Sequence, residues 1–419
     1  MNKYPRRSFI KKGIAGSLIS LGGISNLKKK ESRLLHLNGD TSWDKIREEF
    51  LLTKDRIYFN TAGLGASPLS VIEAYDTWSR KLETISETGH QHVKECRQTI
   101  AEFFNAQQEE IAITRNATEG VNIVAQGLDL QRGDEIILSN HEHVGGAVPW
   151  MNMVETKGIK IKLVELDLKG ERNLDIIKAA ISKRTKVLFV SHVTCTNGMV
   201  LPVKEIAAYG RSLGVITCID GAQAAGMIDI NLSDIDADFY VMSGHKWLFG
   251  PKGSGILFIN NRSIIKLTPT FAGAYTTDKY DLPTLDYSYL SEASREEYGT
   301  RNTPHAMALK AAFDFHTSIG KDRIVNHGKD LASVLSEQLN ELEGIQVLSP
   351  TKDPFRSSIV TFKSRHKTYQ QLQKELSSYK CRVRGIYEAD LQAIRISCAL
   401  YNSKEEIDHL ISSLEQITR

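Results

Sequence analysis

Between residues 110 and 260 the chain alternates short apolar runs with helix-like stretches. The runs at 111–114, 135–139, 160–165, 187–191, 215–220, 239–243 and 255–260 are rich in Val, Ile and Leu. Near-continuous apolar strands set between helices predict a mostly parallel, seven-stranded sheet covered on both faces. Ligands of such α/β sheets sit beyond the carboxyl ends of the strands. Polar residues at those ends are therefore the candidate functional groups.

The flanking segments complete the layout. Ile57-Tyr58-Phe59 reads as a strand entering the small-residue loop Asn60-Thr61-Ala62-Gly63, where backbone can approach a ligand closely. Ser67-Pro68 predicts a helix start, with Ser67 as N-cap and Pro68 as the first helical residue. Residues 261–304 look irregular. Beyond them, strands near 345–348, 358–362, 382–384 and 393–397 and helices near 369–378 and 404–417 predict a smaller C-terminal α+β domain. The expected division is 1–30 as an export signal, 31–66 as an N-terminal segment, 67–304 as the large α/β domain, and 305–419 as connecting helices plus the small domain.

The formal charge of +3 comes from the N-terminus. Residues 1–30 carry eight Lys or Arg and no acid, and 53 less 8 leaves 45 basic residues against 50 acidic ones. That balance gives no support for a nucleic-acid surface. Pro5-Arg6-Arg7-Ser8-Phe9-Ile10-Lys11-Lys12 precedes an apolar run at 13–24, the layout of a twin-arginine export signal. The run is too short for stable membrane insertion. An exported, extracytoplasmic protein is expected, with a cytoplasmic one as the alternative. The five cysteines contain no CxxC pair and predict no metal site or disulfide framework.

Chemistry-bearing residues recur at the strand ends. Asn116-Ala117-Thr118-Glu119-Gly120 lies between a strand and a helix, where N–H groups and a hydroxyl make a phosphate site. His143 follows the second strand, placed to stack on a planar ring. Asp220 ends a strongly apolar strand, where a carboxylate needs a partner such as a protonated pyridine nitrogen. Gln223 is three residues on. Ser243-Gly244-His245-Lys246 ends another strand, and burial there favours the neutral, nucleophilic amine of Lys246. A Schiff-base lysine and an acidic ring partner are the two protein groups that pyridoxal 5′-phosphate requires.

In these motifs, together with Gly299-Thr300 and Arg395-Ile396-Ser397, the chain resembles the aminotransferase class V branch of the fold-type I pyridoxal-phosphate enzymes over most of its length. That group includes cysteine desulfurases, selenocysteine lyases and isopenicillin N epimerase-like proteins. The resemblance implies a Schiff base on Lys246, an Asp220–pyridinium pair, His143 stacked on the ring and Gln223 on the ring oxygen. It implies phosphate contacts from Ala117, Thr118, Ser243 and His245. It further implies a homodimer in which Thr300 completes the neighbouring site, and a substrate site in which Arg395 grips an α-carboxylate and Asn60 takes part.

Two departures bear on the reaction. The segment 382–391 has no cysteine where desulfurases carry their persulfide-forming thiol. Cys195 stands where those enzymes usually place an asparagine, and reads as a small apolar filler. The expected function is therefore that of an isopenicillin N epimerase-like enzyme, an epimerase or transaminase acting at Cα of an amino-acid-like substrate. The alternatives are a carbon–sulfur β-lyase, desulfurase or selenocysteine lyase, or a non-catalytic cofactor-binding protein.

Overall fold

The structure, a computed structural model, describes residues 37–418. The expected export signal lies outside the described residues. After a short helix (Trp43–Arg47), strand β1 (Ile57–Tyr58) leads into the 60–66 loop. Seven strands then build the main sheet: β2 (Ile111–Thr114), β3 (Glu135–Ser139), β4 (Lys160–Val164), β5 (Thr185–Ser191), β6 (Ile216–Asp220), β7 (Phe239–Ser243) and β8 (Gly255–Ile259). Their order across the sheet is β2-β8-β7-β6-β5-β3-β4. Only β8 runs against the others.

Alternate residues of each strand enter the two cores that sandwich this sheet. Ile137, Leu188, Ile219 and Tyr240 face one, while Leu138, Phe189, Cys218 and Val241 face the other. Burial on both faces is what removes polar residues from these strands. From β3 the chain steps to β4 on one side, then returns to β5 on the other side of β3. The crevice that such a reversal opens at the carboxyl ends is where α/β sheets bind ligands.

Residues 261–304 are more ordered than their composition predicts. They hold a hairpin of β9 (Thr277–Asp281) and β10 (Asp286–Tyr289). Its residues are mostly exposed, so no buried face imposes an apolar alternation that the sequence would display. The helix after Ser67-Pro68 starts one residue later than expected, at Leu69, with Pro68 itself as N-cap. Ser67 Oγ instead donates to the Gly250 carbonyl at 2.9 Å.

Two long helices, Thr303–Ile319 and Lys321–Glu341, lead to the small domain. Its antiparallel sheet has the order β11-β12-β15-β14, from β11 (Ile345–Val347), β12 (Ile359–Ser364), β14 (Arg384–Ile386) and β15 (Ala393–Ser397). The two-residue β13 (Cys381–Arg382) pairs in parallel with β1, tying the N-terminal segment to this domain. Among the described residues no helix is long and apolar enough to cross a membrane.

Candidate active site

Lys246 lies just past the end of β7, after Gly244 and His245, and is 9% exposed, with Trp247, Leu248 and Phe249 buried behind it. Gly65 packs its backbone on this turn: a Cβ there would lie 2.0 Å from the Lys246 carbonyl oxygen. Its N–H donates to the His245 carbonyl at 2.9 Å. Burial lowers the pKa of the Lys246 ammonium, and Asp220 opposes that shift. The neutral amine needed for attack on a carbonyl is thereby made accessible.

Asp220 ends β6, between Ser191 of β5 and Val241 of β7. Its Oδ1 accepts the Ala222 N–H at 2.8 Å. Burial raises its pKa, while that N–H and Lys246 pull it down. A carboxylate in this position is stabilised by a cationic partner. His143 is the N-cap of the helix Val144–Lys157, and its Nδ1 accepts the Gly145 N–H at 3.0 Å. That bond leaves the proton of the neutral ring on Nε2. Burial first, and Lys246 second, push the imidazole down to about 4, so the ring is uncharged at neutral pH.

These three residues and Arg395 line one cavity of about 310 Å³. Ala117, Thr118, Gln223, Ser243 and His245 line the same cavity. The first two open the helix Ala117–Gly127, which Asn116 caps by accepting the Glu119 N–H at 2.8 Å. His245 donates from Nδ1 to the Ser254 carbonyl at 2.9 Å, which orients its ring. Both ends of the Gln223 amide are engaged: Nε2 donates to the Ala62 carbonyl, and Oε1 accepts the Trp247 indole N–H, each at 2.8 Å.

Two expected residues lie off this cavity. Thr300 is exposed and does not line its own chain's cavity. Asn60 lies behind Arg395, whose Nη2 donates to its Oδ1 at 3.3 Å. Arg395 is 1% exposed. Its Nη1 donates to the Cys195 carbonyl at 2.5 Å, and its Nε has no hydrogen-bond partner. Burial pulls this guanidinium down to about 10. A buried cation held only by neutral acceptors is a site for an incoming carboxylate.

Sequence reasoning missed Arg384 and the glycine pair Gly145–Gly146, and it read Cys195 as a filler; all four line the cavity. A Cβ on Gly145 would lie 2.4 Å from Thr118 Oγ1, and one on Gly146 would lie 3.1 Å from Asp220 Oδ2. The Gly-Gly step was the available signal for this cradle. The Cys195 thiol is buried and pushed up to about 11.

These features fit pyridoxal phosphate. Lys246 and Asp220 supply the amine and the carboxylate, the His143 ring is neutral, the glycine cradle leaves room between Thr118 and Asp220, and a cavity of about 310 Å³ accommodates a small ligand.

The comparisons agree. The profile of the aminotransferase class-V family matches residues 57–410. A probable cysteine desulfurase of Pyrococcus abyssi is 30% identical over 396 residues, covering 90% of this chain and 98% of that protein. The apo structure of a cysteine desulfurase from Thermococcus onnurineus aligns with a TM-score of 0.82 at 28% identity, covering 89% of this chain and 97% of the other. The cystine C–S lyase C-DES, in complex with its reaction product cysteine persulfide, aligns at 0.80 and 28% identity, covering 86% and 98%. With its lysine and aspartate at adjoining strand ends of a seven-stranded α/β sheet, the chain belongs to the aminotransferase class-V family of fold-type I enzymes, and its cofactor is pyridoxal 5′-phosphate.

Proposed function

We propose that this enzyme is a carbon–sulfur β-lyase acting on an amino-acid-type substrate, in which sulfur departs with the leaving group rather than onto an enzyme thiol. The observation that carries the reading is the cavity wall. It brings Lys246, Asp220 and Arg395 together, and its one cysteine, Cys195, is a weak nucleophile at neutral pH. The named relatives are cysteine desulfurases and a cystine lyase, which favours elimination over the epimerase reading. A lyase whose product is cysteine persulfide needs no acceptor thiol of its own.

Bound pyridoxal phosphate supplies an electron sink that stabilises negative charge at Cα. Lys246 would hold the cofactor, and its amine, shifted toward the neutral form by burial, would take the proton from Cα of the substrate. Asp220 keeps a cation opposite its carboxylate. His143 presents an uncharged ring face, and Thr118, Ser243 and His245 hold the phosphate. Arg395 fixes the α-carboxylate through its planar fork. The Cβ–S bond then breaks with its electron pair on sulfur, and water converts the remainder to pyruvate and ammonium.

The active unit is read as a homodimer with Thr300 completing the partner's site. Supporting this, Val144, Val148 and Met151 form an exposed apolar stripe beside His143. Residues 1–30 are read as a twin-arginine signal, so that Lys at Arg6 and Arg7 retains the protein in the cytoplasm; unchanged secretion would remove that reading.

The purified protein with added pyridoxal phosphate is expected to gain a visible absorption band that Lys246→Ala lacks. L-Cystine should then yield pyruvate and a persulfide. Exchange of Cα–H in deuterated water without net product would establish the epimerase reading instead, and a keto acid that retains its β-substituent would establish transamination.

A further inference from the structure

The turn that follows β5 is gripped from the small domain at four successive carbonyls. Arg395 Nη1 donates to Cys195, Thr361 Oγ1 to Thr196, Ser349 Oγ to Asn197 and Ser357 Oγ to Gly198, at 2.5, 2.8, 2.6 and 2.6 Å. Asn197 returns a bond from the turn: its Nδ2 donates to the Leu348 carbonyl at 3.1 Å, while its Oδ1 accepts the Thr194 hydroxyl at 2.6 Å. The joint is closely packed as well as bonded, since a Cβ on Gly198 would lie 2.5 Å from Ile359 Cβ. Thr196, Asn197 and Thr361 are wholly buried. Buried carbonyls need donors, and here side chains of the other domain supply them.

This joint connects the two halves of the site. Lys246 and Asp220 stand at strand ends of the main sheet, whereas Arg395 is mounted on β15 of the small one. Thr361 of β12 lies directly opposite Arg395 in the antiparallel register. Opposed residues share a face, and these two reach adjacent carbonyls of the same turn. Thr361 does not line the cavity. Its N–H donates to Ser349 Oγ at 2.8 Å, so the two hydroxyl residues that hold the turn are themselves joined. Arg395 has little else to orient it: Asn60 Oδ1 accepts from Nη2 at 3.3 Å, and Nε has no partner. A misplacement of about 1 Å in a substrate-positioning group can cost roughly 100-fold in rate.

We propose that Thr361 is a positioning residue for recognition of the substrate α-carboxylate, acting from outside the cavity. This rests on the assignment of Arg395 to that carboxylate. The Thr361 hydroxyl holds the Thr196 carbonyl, which fixes the Cys195 peptide before it, and the Cys195 carbonyl in turn orients the guanidinium. Loss of the hydroxyl leaves a buried acceptor without this donor, and the turn shifts to find another. The substrate amine is received at Lys246, which stands on other elements, so amine binding is expected to be unchanged.

The test compares glycine with methylamine, two amines that differ only in the carboxylate and have no β-substituent to lose, titrated calorimetrically into the cofactor-loaded protein. The wild type is expected to prefer glycine by about tenfold or more. Thr361→Val, nearly isosteric, should lower that preference at least about threefold by weakening glycine alone, with the visible cofactor band unchanged. Thr361→Ser, which restores the hydroxyl, should return the preference to within about twofold of the wild type. A wild-type preference in Thr361→Val would overturn the proposal. So would equal weakening of both amines, the pattern of a purely structural role, or a Thr361→Ser variant as impaired as Thr361→Val. If Thr361→Val does not fold, Thr361→Cys, with a weaker donor, replaces it in the same comparison. Failure of the Arg395 assignment appears separately, as a glycine preference that survives Arg395→Gln. Failure of this proposal alone appears as a preference lost in Arg395→Gln and kept in Thr361→Val.

Discussion

Asp220 and Glu142 are two buried carboxyls near neighbouring strand ends, and their surroundings set them different tasks. Asp220 faces the cavity and needs a cationic partner there. Its replacement in Asp220→Asn should lower turnover by about 100-fold or more while the fold persists, because a neutral amide no longer favours a protonated ring. Steady-state kinetics beside a thermal melt check this. Glu142 lies off the cavity, accepting from Ser139 Oγ and Ser191 Oγ at 2.6 Å each and from the Ser191 N–H at 3.1 Å. Burial pushes its carboxyl up to about 7. An acid whose pKa is higher folded than unfolded binds more protons in the native state, so its contribution to stability is lost as pH rises. Between pH ~4.5 and ~7 the melting temperature of Glu142→Gln should therefore gain on that of the wild type, by up to roughly 3 kcal/mol in stability, and level off above. A pH-independent difference would contradict this.

At the scale of elements, the start of the helix Val144–Lys157 carries the cofactor cradle. Gly146 has no room for a side chain: a Cβ would lie 2.9 Å from the buried Phe189 ring. Gly146→Ala should cost about 1–3 kcal/mol of stability and weaken pyridoxal-phosphate binding, read by denaturant melts and by titration of the visible band. The turn from Tyr387 to Gln392 poses the opposite problem, since it is short and carries no thiol. Cys381 and Cys398, the cysteines that flank it in sequence, are both buried, and burial pushes each thiol up to about 12. Cys96, Cys195 and Cys218 are buried as well. Iodoacetamide at neutral pH should therefore leave turnover within about twofold of the untreated enzyme. Rapid loss of activity would restore a persulfide route.

For the whole molecule, the decisive question is whether a site is complete in one chain. Thr300 is exposed and lies off its own cavity. If it serves the partner's phosphate site, Thr300→Ala should weaken cofactor binding about tenfold despite that distance from its own Lys246. Sedimentation should give the mass of two chains. A monomer with full cofactor affinity would refute both expectations.

Much of this architecture is legible in the chain because burial on two faces writes itself into composition. The strands expected at 111–114, 135–139 and 239–243 have those bounds in the structure, as does the last strand of the small domain at 393–397. Lys246, Asp220, His143 and Thr118 were findable because an α/β sheet places its ligands at strand ends, and each stands at or just beyond one. The exposed β9–β10 hairpin was not legible, since no buried face patterned it. Nor was the place of Arg384 on the cavity wall, because only the register of β14 on β15 sets it against Arg395. The sequence by itself determined the layers, the cofactor and the buried lysine placed to hold it, all of which rest on local periodicity and side-chain chemistry. The tertiary structure alone decided that Arg384 lines the cavity beside Arg395, through the register of β14 on β15, and that Asn60 supports Arg395 from outside the cavity, where segments more than 300 residues apart meet.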